Sequence, residues 1–182
     1  MEKFNFNLFP ELSTERLILR QPTPRDSKAI YLLRTNKKIN ELISRKMPQS
    51  ISETTKFIAE LNKRFKDKKN IFWVIVSKEH NQVIGTIGYQ NFKNNFSYAE
   101  IGYELHPDNH KKGYMDESCK AVINFGLYSM NLETIEAFTH KDNEASKALL
   151  KKHQFVFQVE RREDGFENNR IFKLKKQTAK QC

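Results

Sequence analysis

The stretch His110-Lys111-Lys112-Gly113-Tyr114-Met115 decides the fold. It lies between a strand-like segment, residues 99–105, and a helix-like segment, residues 116–129. A glycine in a basic loop that opens a helix leaves backbone N–H groups without intrahelical partners, at the positive end of the helix dipole. Because Tyr103-Glu104-Leu105 ends the strand just upstream, the loop should emerge at the edge of a sheet. The sequence therefore predicts an anion site, and we expect a cradle for a pyrophosphate.

The hydrophobic pattern on either side of this loop predicts the remaining elements. Their order is one strand, two helices, three strands in an antiparallel meander, a helix, a strand, a helix and a closing hairpin. The strand after the central helix should run parallel to its predecessor, because such crossovers are right-handed and return in the same direction. In that helix, Gly126 should permit close approach to the sheet. Strands are predicted at residues 16–21, 71–76, 83–89, 98–105, 134–139, 155–163 and 166–174.

Length and composition limit the class of protein. The 182 residues are enough for one domain, residues 1–182, with residues 175–182 as a frayed tail. Neither an apolar run of membrane-spanning length nor an N-terminal signal pattern is present, so we expect a cytoplasmic protein. The two cysteines, Cys119 and Cys182, lack the spacing of a metal site or a disulfide framework, and we expect a core residue and a free tail thiol.

The charge balance favours anionic partners. There are 32 basic and 22 acidic residues, a net charge of +10, which suits nucleotides, coenzymes or nucleic acid. The charge is dispersed and is not interleaved with aromatic residues in a recognition pattern, so we do not expect direct nucleic-acid binding. A small anionic ligand, such as a coenzyme, is the partner that this charge distribution favours.

Three blocks in a fixed order carry a family resemblance. They are Thr14-Glu15-Arg16-Leu17-Ile18-Leu19-Arg20, then Ala99-Glu100-Ile101-Gly102-Tyr103 with the loop, then Asn143-Glu144-Ala145-Ser146 followed by Gln154-Phe155. The chain resembles the GNAT superfamily of acyl-CoA-dependent N-acyltransferases, most closely its branch of ribosomal-protein N-terminal acetyltransferases, which includes alanine-specific enzymes. The loop aligns with the family pattern Gln/Arg-x-x-Gly-x-Gly/Ala, in which His110 and Met115 are departures.

The resemblance implies the fold and the co-substrate. We expect an α/β (α+β) fold with a GNAT-like mixed, mostly antiparallel sheet of about seven strands flanked by about four helices. Acetyl-CoA is the implied co-substrate, with no metal. The alternative for the loop is a basic helix cap without a ligand. The residues implied to bind coenzyme A are Leu105, His106, His110, Lys111, Lys112, Gly113, Tyr114, Met115, Asn143 and Ser146.

Within that set, the resemblance gives several residues a specific role. Backbone groups of Leu105 and His106 would contact pantetheine and the thioester oxygen. Asn143 would hydrogen-bond the pantetheine arm, and Ser146 would approach the coenzyme sulfur. Both Asn143 and Ser146 stand at a predicted helix start, where capping is the competing explanation.

The implied chemistry is direct attack of an amine on the acetyl thioester. An α-amino group has a pKa of about 7.7 to 8.0, so presenting it neutral at pH 7 costs about 1 kcal/mol, whereas a lysine at about 10.4 costs nearly 5. A modest base is therefore enough for an α-amine. Glu100 and Glu104 are the candidates, because residues four apart on a strand share a face; pairing of Glu100 with a basic neighbour is the alternative. Ser146 could hydrogen-bond the leaving thiolate, whose pKa is about 8.5.

These inferences predict an N-acetyltransferase that uses acetyl-CoA and a protein N-terminal α-amine as acceptor. One alternative is acetylation of a small-molecule amine. The other is a non-catalytic basic module that binds coenzyme A and docks on RNA or the ribosome. The acceptor pocket is expected from two poorly patterned segments, residues 39–49 and 91–97, and the protein is expected to be a monomer or a homodimer.

Overall fold

One mixed sheet forms the centre of the fold, in a computed structural model that describes residues 4–43 and 45–177. Its strands are β1 Leu12–Ser13, β2 Leu17–Arg20, β3 Asn70–Ser77, β4 Gln82–Lys93, β5 Tyr98–Leu105, β6 Thr134–His140, β7 Val156–Phe157 and β8 Asn169–Lys175. In these residues the order of the eight strands is β1-β2-β3-β4-β5-β6-β8-β7. All neighbouring pairs are antiparallel except β5 and β6, which are parallel.

Helices flank the sheet on both faces. In the same residues they are α1 Ser27–Thr35, α2 Lys37–Asn40, α3 Ile51–Lys66, α4 Tyr114–Asn124 and α5 Glu144–Lys152. Capping residues set the starts of two of them. Ser50 Oγ accepts from the Glu53 N–H (3.2 Å) in front of α3, and Asn143 Oδ1 accepts from the Ser146 N–H (3.0 Å) in front of α5. None of these described helices has both the length and the apolar character that crossing a bilayer requires.

The predicted fold class is confirmed, with one more strand and one more helix than expected. The additions are short: β1 has two residues and α2 is one turn. The helix predicted at residues 116–129 begins earlier, at Tyr114, and ends in a π-helical turn, Phe125–Ser129. In that turn, a Cβ on Gly126 would overlap the Tyr89 hydroxyl of the sheet, which confirms the expected close approach.

The end of the chain differs from the prediction. The strand predicted at residues 155–163 is reduced to β7, because the chain turns at Gln158, whose carbonyl accepts from the Arg161 N–H (3.1 Å). β8 extends through Lys175, the first residue of the predicted tail. Residues 178–182, with the predicted free thiol of Cys182, lie outside the described residues, while Cys119 is buried in the core as expected.

The two faces of the sheet carry separate apolar clusters. On one face, α1 and α3 pack Ile30 and Ile58 against Val74 and Val76. On the other, α4 and the N-terminal segment cover a larger and more aromatic cluster that includes Trp73, whose indole N–H donates to the Pro10 carbonyl (2.6 Å). Packing on both faces holds the sheet in place. The loop and the cavity described below lie against this sheet.

The parallel pair β5 and β6 separates part-way along its length. Its strands pair at Tyr98 with Thr134, Ala99 with Ile135 and Glu100 with Glu136, and beyond those residues no pairing continues in the described chain. Each strand nevertheless runs on for four or five residues, so a wedge opens between them. Since the strands are parallel, the helices that follow them, α4 and α5, both begin at the open end. The wedge is thus flanked by two helix N-termini.

Candidate active site

The loop before α4 has the conformation of an anion cradle. Gly113, the N-cap residue, is left-handed (φ 80°, ψ 0°), a conformation that glycine adopts without a steric penalty. Lys111 is also at positive φ (59°). The backbone N–H groups of residues 111–116 have no hydrogen-bond partner within the described residues. These donors lie at the positive end of α4, where the helix dipole favours an anion.

The two departures from the family pattern both have a structural role. The His110 imidazole Nε2 lies 2.9 Å from the Leu105 carbonyl oxygen and ties the loop to the end of β5. Met115 packs against the main core cluster and anchors the first turn of α4. The loop is therefore closed from one end by a histidine side chain and held at the other by an apolar one.

The backbone of His106 is already engaged. Its N–H donates to the Ile84 carbonyl (2.8 Å) and its carbonyl accepts from the Asn109 N–H (2.9 Å). The Leu105 carbonyl has His110 as its partner. A carbonyl oxygen has two lone pairs, so those of Leu105 and His106 can each accept one more bond from a pantetheine amide. The His106 N–H already donates its one hydrogen to the Ile84 carbonyl, so it is not available to bind the thioester oxygen.

Arg16 fastens the loop to the sheet, a contact that the sequence analysis did not identify. Its Nη1 donates to the Lys112 carbonyl (3.0 Å), its Nε donates to Glu117 Oε2 (2.7 Å) and its guanidinium lies 4.6 Å above the Tyr114 ring. Glu117 Oε1 also accepts from the Thr14 hydroxyl (2.6 Å). Burial by itself raises the pKa of Glu117, but the bonds from Thr14 and Arg16 outweigh it and lower that pKa. The first sequence block, residues 14–20, thus holds in place the loop that belongs to the second block.

Asn143 and Ser146 lie on the α5 side of the wedge. Asn143 caps α5 through its Oδ1, and its Nδ2 has no hydrogen-bond partner among the described residues. The Ser146 hydroxyl is buried and lies 2.9 Å from the Tyr103 hydroxyl. Burial raises the pKa of Tyr103, so this phenol stays protonated at neutral pH. The expected capping role is present, and it leaves both residues able to reach a ligand.

Tyr103 is a second residue that the sequence analysis missed as part of the site. The neighbouring strand β5 brings its hydroxyl to Ser146 on α5. The available signal was the predicted parallel pairing of the two strands, which places the ends of β5 and β6 side by side. The distance between the Tyr103 and Ser146 hydroxyls depends on how far β5 and β6 separate, which the sequence does not give.

A cavity of about 940 Å³ opens on the α1 and α3 face of the sheet and reaches Tyr103, Asn143 and Ser146 in the wedge. Glu104 lines it and is itself buried. Glu104 Oε1 accepts from the Thr86 hydroxyl (3.3 Å), and its Oε2 lies 2.6 Å from Arg45 Nη1 in an ion pair that lacks hydrogen-bond geometry. No group of three metal-ligating side chains forms in residues 4–43 or 45–177.

Glu100 lies outside this cavity. Its carboxylate accepts from the Asn91 amide (2.7 Å) and lies 4.0 Å from Lys93 Nζ, so the basic neighbour considered as the alternative is present. Glu100 and Glu104 share a face of β5 as expected. The cavity opens only where β5 leaves β6, which is beyond Glu100.

The walls of the cavity agree only partly with the expected segments. Of residues 39–49, five described residues line it, including Asn40 and Arg45, while residue 44 lies outside the described residues; residues 91–97 do not line it. The segment 163–169 and helix α3 also supply walls, together with Arg34 of α1 and residues of the sheet. Three carboxylates that the sequence analysis did not select also line it: Glu41, Glu163 and Glu167.

A family model described as an acetyltransferase (GNAT) domain matches residues 16–156. The chain belongs to the GNAT acetyltransferase family. It is 34% identical over 148 residues to the uncharacterized N-acetyltransferase YoaA of Bacillus subtilis (strain 168), covering 81% of this chain and 84% of that protein. The predicted activity, an acetyl-CoA-dependent N-acetyltransferase, is thereby confirmed.

Two solved structures of GNAT enzymes share the fold. The ribosomal-protein-S5-alanine acetyltransferase of Vibrio fischeri is 20% identical with a TM-score of 0.79, over 92% of this chain and 97% of that one. RimL, the ribosomal L7/L12 α-N-protein acetyltransferase in complex with coenzyme A, is 16% identical with a TM-score of 0.79, over 91% and 98%. The expected resemblance to the ribosomal-protein branch is confirmed at the level of the fold.

Proposed function

We propose that this GNAT enzyme transfers the acetyl group of acetyl-CoA to the α-amine of a protein N-terminus. The observation that carries the proposal is the wedge between β5 and β6, which leads from the loop before α4 into the cavity that holds Glu104. The structural neighbours that act on ribosomal proteins support the class of acceptor.

Acetyl-CoA would lie along the wedge. The free N–H groups of residues 111–116 would bind the pyrophosphate, with the charges of Lys111 and Lys112 beside them. The unpaired edge of β5 and the Asn143 Nδ2 would bind the amides of pantetheine. These contacts would hold the thioester at the point where the wedge meets the cavity and would place it beside the acceptor, which converts a bimolecular reaction into an intramolecular one.

Glu104 would accept the proton of the attacking amine, directly or through one water. The amine nitrogen forms a bond to the thioester carbon, the carbon–sulfur bond breaks, and its electron pair stays on sulfur. An α-amine needs about 1 kcal/mol to be neutral at pH 7, and a lysine side chain nearly 5, so one buried carboxylate is sufficient for the α-amine. This difference favours a protein N-terminus over a lysine side chain.

Ser146 would donate a hydrogen bond to the departing sulfur. Its hydroxyl is buried in the wedge and paired with the protonated Tyr103 hydroxyl, which can donate to Ser146 while Ser146 donates onward. Because a thiol has a pKa of about 8.5, the thiolate needs stabilisation and not complete protonation. Tyr103 is a positioning residue in this arrangement.

The proposal is tested by thiol release from acetyl-CoA with a panel of acceptors. The panel contains peptides with free N-termini, the same peptides with a blocked N-terminus and one lysine, and small amines. We expect turnover of free N-termini, located on the α-amine by mass spectrometry. Turnover restricted to small amines or to blocked lysine peptides would overturn the proposed acceptor, and coenzyme binding without turnover of any amine would favour a docking module.

A matched pair of variants tests the base. Glu104→Gln should lower kcat/KM at pH 7 by about 100-fold, with partial recovery above pH 8, where the α-amine is neutral without help. Glu100→Gln, on the same strand and face but outside the cavity, should retain activity. Equal losses in the two variants would remove Glu104 from the mechanism.

A further inference from the structure

Two guanidinium groups, those of Arg34 and Arg45, line the acceptor cavity together with Glu104. Arg45 donates through Nε to Asn40 Oδ1 (2.8 Å) and forms the ion pair with Glu104 through Nη1, while its Nη2 is buried without a hydrogen-bond partner among the described residues. The side chain of Arg45 is 14% exposed. A buried donor of a charged group without a partner is costly, so an acceptor atom is expected to reach Nη2 during the reaction cycle.

Arg34 supplies the second guanidinium of the cavity. Its guanidinium lies 4.2 Å from the centroid of the Phe57 ring on α3 and lines the same cavity. Stacking on a ring occupies the face of a guanidinium and leaves the N–H groups at its edge. In the described chain no carboxylate lies within ion-pair distance of Arg34.

The charges of Arg34, Arg45 and Glu104 in the cavity do not balance. Burial and then the neighbouring charge of Arg45 lower the pKa of Arg34, while Glu104 raises it, so the three side chains interact. Among the described residues, Glu104 is the one cavity carboxylate that pairs with either arginine, and its partner is Arg45. The other carboxylates that line the cavity, Glu41, Glu163 and Glu167, are not within ion-pair distance of either arginine, and Glu163 is engaged by the Asn169 amide (2.7 Å). A positively charged amine would be repelled here unless it brought an anion with it.

We propose that the acceptor carries a carboxylate close to its amine, and that Arg34 and Arg45 bind it. An Asp or Glu within the first residues of a protein N-terminus supplies this chemistry. The arginine fork suits a carboxylate, since it presents paired N–H donors in the plane of the two oxygens. With the anion bound, Arg45 has a second carboxylate as partner, which leaves Glu104 to face the amine. This inference rests on the proposed acetylation of N-terminal α-amines and names the subset of N-termini selected.

The test compares peptides that differ by one isosteric substitution. Peptides with Asp at position 1, 2 or 3 are each paired with the matching Asn peptide, and kcat/KM is measured for every member. We expect the best Asp peptide to exceed its Asn partner by about 10- to 100-fold, the range of a charged hydrogen bond. In Arg34→Gln the ratio should fall below about threefold, and in Arg34→Lys it should be intermediate, because the charge remains without the fork.

The control is Arg25→Gln, which removes an exposed guanidinium ahead of α1 and should preserve the ratio. Calorimetric titration of the same peptides into the coenzyme A complex measures the preference without turnover. Equal kcat/KM and equal affinity within every pair, or an Asp preference that persists in Arg34→Gln, would overturn the anion site.

Failure of the proposed acceptor gives a different result. In that event no peptide is acetylated on its α-amine, and the same comparison is made with O-phosphoserine against serine and with aspartic acid α-amide against asparagine α-amide. An Arg34-dependent preference for the anionic member would support the anion site while overturning the protein N-terminus. Indifference to charge would overturn both.

Discussion

Replacing Tyr103 by Phe should slow acetyl transfer by acting through Ser146. The substitution removes one hydroxyl, 2.9 Å from the Ser146 hydroxyl, and keeps the ring, which packs against the main core cluster. A neutral hydrogen bond contributes about 0.5–1.5 kcal/mol, which corresponds to about a 2- to 12-fold decrease in kcat. The KM values for acetyl-CoA and acceptor should change little, because the bond is needed when charge develops on sulfur and not when the substrates bind.

A double-mutant cycle separates this role from simple packing. Ser146→Ala removes the donor to the sulfur and should lower kcat by about 100-fold. If Tyr103 acts only by orienting that donor, adding Tyr103→Phe to Ser146→Ala should cost less than about twofold more. Steady-state thiol release at saturating acetyl-CoA, with the best acceptor peptide, measures all four variants.

The control comes from the same strand. Tyr98 donates its hydroxyl to Glu136 (3.0 Å), away from the cavity, so Tyr98→Phe should lower the melting temperature without changing kcat. Multiplicative losses in Tyr103→Phe/Ser146→Ala, or an unchanged kcat in Tyr103→Phe alone, would refute the reasoning. Because burial raises the pKa of Tyr103, no titration of this phenol should appear in the pH–rate profile near neutrality.

Two further predictions concern the loop before α4 and the buried Glu136 on β6. Gly113→Ala places a Cβ at positive φ, 3.3 Å from Arg16 Nη2, and should raise the KM for acetyl-CoA about 5- to 30-fold with little change in kcat; an unchanged affinity by calorimetry would contradict this. Burial raises the pKa of Glu136, but the hydrogen bonds from Arg161 outweigh it, so the folded pKa lies below the ordinary 4.5. Its stabilisation is therefore present above pH 4.5 and is lost as the pH falls through the lower folded pKa. Glu136→Gln should lower the melting temperature by about 2–8 °C at pH 7 and by less at pH 3.5, whereas the exposed control Glu160→Gln should show neither effect.

The sequence determined the features that depend on local geometry. Apolar periodicity predicted the order of the elements, and the left-handed glycine of the loop and the cap at Asn143 each depend on a few consecutive residues. The antiparallel meander and the parallel crossover followed from connection length and chain handedness. For these reasons the fold class, the glycine loop in front of α4 and the start of α5 were all predictable from the sequence.

Only the tertiary structure decided which side chains meet. Arg16 and Glu117 are 101 residues apart, and Tyr103 and Ser146 are 43 apart, so no local pattern could connect them. Alternation along β5 placed Glu100 and Glu104 on one face and could not rank them. Their surroundings differ because β5 separates from β6 just beyond Glu100. Glu100 therefore lies in a paired part of the sheet, while Glu104 lies in an open cavity. Sequence patterns report period and turn geometry, while the distance between side chains on separate elements depends on how far those elements pack or part.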